Sequence, residues 1–202
     1  FESQGFGEFS EELDFVINHF DSFVTKIGCG DSEFFRNPNV LKDFVDRFKV
    51  YQNIVDKRLE YISTLFSLED RSVNFSDNWR VNVRKASYYA FFVHYGQKRK
   101  GEKGKDGGPL DYIYHPMNAA LNNVVFNDEP TIVAAILHDV LEDYHKGVVK
   151  LLLEGSDSDV EEVKDAFYES CEDFCEPLNK STGRSYEYAL LNKDLSKFSN
   201  VV

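Results

Sequence analysis

Apolar residues recur along most of this chain with the 3.6-residue rhythm of a helix that buries one face. In 9–27 they fall at Phe9, Leu13, Val16, Ile17, Phe20, Phe23 and Val24, and Gly28 and Gly30 break the pattern. A longer run over 39–68 carries Val40, Leu41, Phe44, Val45, Phe48, Tyr51, Ile54, Val55, Leu59, Ile62 and Leu65. Residues 69–77 are polar and read as a loop, with Ser76 as N-cap and Asp77 in the first turn of a helix that reaches about residue 97. The stretch KRKGEKGKDGGPLD, 98–111, holds four of the twelve glycines and is expected to be a loop. Helical signals return over His115–Phe126, where Pro116 suits a first turn. They continue over 130–144, opened by Asp128-Glu129-Pro130 and containing TIVAAILHDVLEDY. A short apolar segment at 148–153 and the loop GSDSD lead to an acidic helix over 159–175, which Pro177 is expected to end. Residues 185–198 fit one more helix. The pattern predicts an all-α fold without internal repeats.

Composition narrows the class. The 202 residues are 42% hydrophobic and 15% aromatic, enough bulk for a core, and five prolines argue against a loop-rich β sandwich. No apolar run reaches the roughly 18 residues of a membrane span. The opening FESQGFGEFSEELDF is acidic and lacks the apolar centre of a signal peptide, and with Phe1 as first residue the start is expected to lie inside a longer or processed chain. A net charge of −12 argues against wholesale nucleic-acid binding but leaves room for a local basic site. Three cysteines are too few for a disulfide framework. Cys171 and Cys175, four apart, read as structural or free thiols, and the expected compartment is the cytoplasm.

The candidate chemistry lies in 115–143. His138-Asp139 interrupts a strongly apolar helix, and Glu142 and Asp143 follow one turn later. At i, i+4 spacing His138 sits over Glu142 and Asp139 over Asp143, so one edge offers an imidazole and three carboxylates. Burying such groups without compensation costs several kcal/mol, and a divalent metal is an economical compensation. His115, 23 residues before His138, follows the turn Tyr112-Ile113-Tyr114 and can bring a second imidazole to the same point. His19 and His145 have no such company and read as packing or surface residues.

Segment 94–143 resembles the HD-domain hydrolases of the RelA/SpoT-homologue group. The resemblance rests on His94-Tyr95-Gly96-Gln97-Lys98-Arg99-Lys100, on Tyr112-Ile113-Tyr114-His115-Pro116, and on Ala134-Ala135-Ile136-Leu137-His138-Asp139-Val140-Leu141-Glu142-Asp143. It covers about fifty residues closely and 80–202 loosely. It implies an HD-type helical bundle over 76–202; it does not account for 1–75, whose apolar stripes read as an appended N-terminal helical segment that packs on the HD domain, on a partner or on a second copy. It implies one Mn²⁺ on His115, His138 and Asp139, and service to the attacking water by Glu142 and Asp143. It places Arg99 and Lys100 against a guanine base. The implied activity removes the 3′-diphosphate from guanosine tetra- or pentaphosphate, the alarmone of the stringent response.

Two departures stand out. The family's fourth metal ligand, an aspartate in a K-L-A-D-R motif, has no counterpart. The chain is expected to stop just before it, at Phe198-Ser199-Asn200-Val201-Val202, and nothing around Asp194 matches the motif. The connection from Lys100 to Tyr112 is also longer than in the family. Residues 98–105 carry five basic side chains and one acid, a local +4 that reads either as a solvated loop or as a guide for a polyanionic nucleotide. Other readings stay open: an HD phosphohydrolase acting on another nucleotide such as NADPH, a module that binds guanine nucleotide without hydrolysing it, or a bifunctional protein with a synthetase domain beyond residue 202.

Overall fold

A computed structural model describes residues 11–29, 37–69, 75–104, 107–122, 129–153 and 159–182. The expected helix over 185–198, Asp194, Lys105, and most of the loop 69–77 lie outside them, as does the end of the helix expected to reach Phe126. The described residues are mostly helical and the fold is all-α. In order they form α1 (Glu11–Lys26), α2 (Pro38–Glu69), α3 (Trp79–His94), β1 (Lys98–Lys103), β2 (Pro109–Asp111), α4 (Tyr114–Asn122), α5 (Glu129–Leu137), α6 (Val140–Asp143), a 3₁₀ turn (Tyr144–Lys146), α7 (Val148–Leu153) and α8 (Val160–Thr182).

Helix α3 is the axle. From Ala86 to His94 every residue is buried, the pattern of a helix with neighbours on all sides. Phe92 meets Phe20 of α1 and Phe44 and Phe48 of α2 with ring centroids 5.4, 5.0 and 5.9 Å apart, all edge to face. On another side Tyr89 stacks on Phe174 of α8 at 4.1 Å. Helices α1 and α2 therefore share one apolar core with α3 and α5. Polar ties reinforce the same packing. Arg84 of α3 donates to Asp56 of α2 at 3.0 Å and to Glu12 of α1 at 3.3 Å.

Several local expectations change. Ser76 does not cap α3. Its backbone N–H donates to Glu129 at 2.8 Å, while its hydroxyl has no partner among the described residues. Glu129, only 1% exposed, also accepts from the Asn82 amide at 2.6 Å, which ties the entry of α3 to the start of α5. Residues 98–111 are not a plain loop but an antiparallel two-stranded ribbon that pairs Lys98 with Asp111 and Lys103 with Pro109. The glycines make the ribbon possible. Gly107 at the turn and Gly101 in the irregular strand have φ of 80° and 78°, a region that side chains disfavour. The expected helix 130–144 breaks after Leu137, leaving His138 and Asp139 in a turn before α6. Pro177 does not end the last helix, which runs to Thr182. Pro177 faces solvent, and the burial of Phe174, Cys175 and Leu178 around it offsets the lost backbone bond.

One glycine is fixed by proximity. A Cβ on Gly147 would lie 2.1 Å from the Val93 carbonyl oxygen, so the turn after α6 can close on the end of α3 only without a side chain there. That contact brings His94 beside the segment that carries Asp143.

Phe44 is fully buried among Phe91, Phe92 and Tyr95. Phe44→Ala should cost about 3–5 kcal/mol, seen as a lower midpoint in urea or thermal unfolding. Deletion of residues 1–75 uncovers the α1- and α2-facing sides of α3. The shortened chain should lose its cooperative thermal transition, and retention of a sharp transition would make 76–202 an independent unit.

Candidate metal centre

The break after Leu137 positions the chemistry. With the helix interrupted, Asp139 turns inward and becomes buried, and His138 sits beside it. His115 enters from α4, held where its N–H donates to the Tyr112 carbonyl at 2.8 Å. One donor atom each from His115, His138 and Asp139 lies within 4.8 Å of the others, a cluster that can hold a metal ion. The structure thus brings together the three residues that the sequence pattern pairs across two helices.

The hydrogen bonds around the cluster are directional. His138 Nδ1 lies 2.8 Å from the Ala135 carbonyl, which can only accept, so Nδ1 carries the proton and Nε2 faces the cluster. Nε2 is 3.0 Å from one Asp139 oxygen. The other Asp139 oxygen accepts from the Tyr112 hydroxyl at 2.6 Å and lies 3.6 Å from His115 Nε2. Tyr112 thereby orients the carboxylate, a role for which no signal in the motif asks.

These contacts set the charges. Burial works against ionised Asp139, yet the bonds from His138 and Tyr112 and the neighbouring imidazoles outweigh it and lower its pKa to about 2. Burial likewise opposes charge on His138, but the Asp139 carboxylate, the Ala135 carbonyl and the charge of Glu142 raise its pKa above the ordinary 6.5. A proton on Nε2 of His138 and a metal on that nitrogen exclude each other, which makes any metal binding proton-linked.

The remaining candidates divide. Glu142 is exposed, whereas Asp143 is buried. Burial raises the Asp143 pKa, and hydrogen bonds from Lys146 and Gln97 more than reverse it, so Asp143 stays ionised. Arg99 and Lys100 lie on β1, Arg99 half-buried and Lys100 exposed. Lys98 is tied to Asp111, which also takes a bidentate pair from Arg47 of α2 at 3.0 Å. Strand alternation turns Arg99 to the opposite face from Lys98. His19 bonds to the Phe15 carbonyl at 2.8 Å and His145 is exposed, both away from the cluster. Cys29, Cys171 and Cys175 are buried thiols, and burial pushes the Cys171 thiol up to about 12. Gln97, Tyr112 and Lys146, all in contact with the site's carboxylates, carried no role in the sequence reading, although the first two lie inside its motifs.

His138→Ala should abolish stoichiometric binding of a divalent ion, as read by calorimetry. The pH dependence has a definite sign. Without metal, the His138–Asp139 pair contributes stability fully between the ordinary carboxylate and imidazole values. That contribution is lost as pH rises through the raised His138 pKa, and as pH falls towards the Asp139 value of about 2. With metal the demand reverses on the alkaline side, because His138 must be neutral. The rise in unfolding temperature on adding Mn²⁺ should grow as pH increases through the His138 pKa, and a rise independent of pH would remove His138 from the ligand set.

No family model and no solved structure matches the chain. Over 99 residues it is 36% identical to the guanosine-3′,5′-bis(diphosphate) 3′-pyrophosphohydrolase of Aquifex aeolicus, a stretch that is 48% of this chain and 12% of that protein. The chain therefore spans a small part of the length of the curated relative it matches. The similarity is thus to one stretch of a protein named as a hydrolase, and the His/Asp cluster is one that could hold a metal ion.

Proposed function

We propose that this chain is a metal-dependent pyrophosphohydrolase that removes the 3′-diphosphate from guanosine tetra- or pentaphosphate, with one Mn²⁺ held by His115, His138 and Asp139. The observation that carries the reading is the convergence of those donors beside the paired carboxylates Glu142 and Asp143. The stretch of identity to a relative named for this activity supports it. Imidazole and carboxylate donors suit Mn²⁺ among the first-row ions. No described helix is long and apolar enough to cross a membrane, and a cytoplasmic nucleotide is the proposed substrate.

A divalent ion in this cluster supplies Lewis acidity for a phosphoryl oxygen and makes a neighbouring water more acidic. The chain's residues do the rest. Glu142, exposed one turn beyond His138, accepts the proton of the attacking water. Water adds at the phosphorus attached to the ribose 3′ oxygen, that oxygen leaves and takes up a proton, and pyrophosphate is released. Asp143, buried and ionised, orients rather than exchanges protons. Arg99 and Lys100 hold the guanine and its phosphates. A guanidinium plane can stack on a base and also pair with phosphate, which makes Arg99 the principal contact.

The ribbon extends this reading. Lys100 and Lys103 are exposed on β1 within a protein of net charge −12. They raise the local concentration of a polyanion without touching the reacting bond.

Glu142→Gln should retain metal and lower kcat by about 10²–10⁴, followed as pyrophosphate release. A normal rate with metal in place would take Glu142 out of the reaction. Raising the ionic strength should increase KM for the nucleotide more steeply in the natural chain than in a Lys100→Ala, Lys103→Ala double variant. Equal slopes would leave the ribbon as a solvated surface.

A further inference from the structure

Behind the cluster a second hydrogen-bond chain enters the wall of the site. It begins at His94, the last residue of α3, which is 1% exposed. His94 Nδ1 is 2.9 Å from Gln97 Oε1, and Gln97 Nε2 donates to Asp143 Oδ2 at 2.8 Å. The Lys146 ammonium binds the other Asp143 oxygen. Backbone bonds fix the same residues: Gln97 N donates to the His94 carbonyl at 3.0 Å, and Tyr112 N to the Gln97 carbonyl at 3.0 Å. The chain thus leads to Tyr112, whose hydroxyl binds Asp139 and also interacts with Asp143.

Chemistry fixes the direction of each bond. The Asp143 carboxylate can only accept, so Gln97 must present its NH₂ group to it and its carbonyl oxygen to His94. His94 must then carry its proton on Nδ1. Its Nε2 is a buried lone pair with no partner among the described residues. Such an orphan is uncommon and carries a desolvation cost that a phenylalanine in this aromatic core would avoid. Simple packing therefore does not account for an imidazole at this position. Orientation of the Gln97 amide does, and burial keeps His94 neutral for it by holding its pKa down.

We propose that His94 and Gln97 are positioning residues of the hydrolytic centre: the neutral Nδ1–H form of His94 sets the Gln97 amide, and that amide holds the Asp143 carboxylate in place beside the metal cluster. The proposal rests on the hydrolase reading for its catalytic consequence, but not for the relay itself.

Two measurements on the full chain test it. The first is spectroscopic and needs no substrate. Ring ¹⁵N shifts of His94 should report the neutral Nδ1–H tautomer at neutral pH. They should shift towards a tautomer mixture in Asp143→Leu, where only His94 still faces the Gln97 amide and the pair can adopt either matched tautomer and amide orientation. An Nε2–H form or an imidazolium in the natural chain, or a spectrum unmoved by Asp143→Leu, would overturn the relay. The second is kinetic. Gln97→Met should lower kcat about tenfold or more with KM within about twofold and metal stoichiometry unchanged. Gln97→Leu removes both the acceptor for His94 and the donor to Asp143, so it should show the same loss and serves if the Met variant does not fold. His94→Phe should lower kcat less, and the double variant His94→Phe, Gln97→Met should be no worse than Gln97→Met alone. Unchanged kcat in both Gln97 variants, or additive losses in the double variant, would overturn the positioning role. If the natural chain hydrolyses no guanosine 3′-diphosphate nucleotide, the functional reading fails while the ¹⁵N result still decides the relay.

Discussion

Keeping the Asp139 carboxylate ionised in a buried turn is the constraint around which this structure is arranged. A carboxylate removed from water needs several partners at once. Asp139 has the His138 imidazole on one oxygen, and the Tyr112 hydroxyl with His115 nearby on the other. Those partners come from the turn after α5, from the end of the ribbon and from the start of α4, so the charge can be satisfied only when all three segments are in place. The His138 proton lies on the same spot, and a divalent ion bound there would replace it. The ligand geometry and the proton linkage follow from one burial event.

That arrangement needs a rigid back wall, and α3 supplies it. A helix buried on every side cannot rotate to relieve a misplaced contact at its end. The aromatic contacts of Phe92 and the stack of Tyr89 on Phe174 fix its axis, while Gly147 lets the α6–α7 turn approach the Val93 carbonyl. His94 is placed by this packing. Through it the N-terminal helices, remote from the cluster in sequence, bear on where Gln97 and Asp143 can sit.

Much of the architecture was legible because burial on one helix face leaves a 3.6-residue signature. The stripes from Leu13 to Val24 and from Leu41 to Ile62 are buried as the periodicity predicts, with only Ile54 half-buried. The failures have specific physical causes. A Gly- and Lys-rich stretch gives no period-2 pattern, yet Gly101 and Gly107 allow a twisted ribbon that backbone bonds alone specify. The break at His138-Asp139 is invisible to periodicity because Val140 is apolar and in phase; side chains drawn to Tyr112 and Ala135 mark it only in three dimensions. Proline ends most helices, but Leu178 keeps its buried position beyond Pro177 and carries α8 onward. The cluster was legible as paired motifs. The relay was not, since Gln97 reveals its partner only when α3 and α6 lie side by side.

The paired carboxylates Glu142 and Asp143 show why neighbouring acids can differ in chemistry. They are adjacent in sequence, but the helix turns them to unlike surroundings: Glu142 to solvent, Asp143 to Gln97 and Lys146. A group that exchanges a proton with water needs access to it. A group that orients needs fixed donors, and each donor that holds it also lowers its pKa. The burial pattern gives the two carboxylates different access to water, and it accords with the proposed division between a solvent-facing Glu142 and an Asp143 held by Gln97 and Lys146. It explains why a positioning network would be built on Asp143 and not on its neighbour.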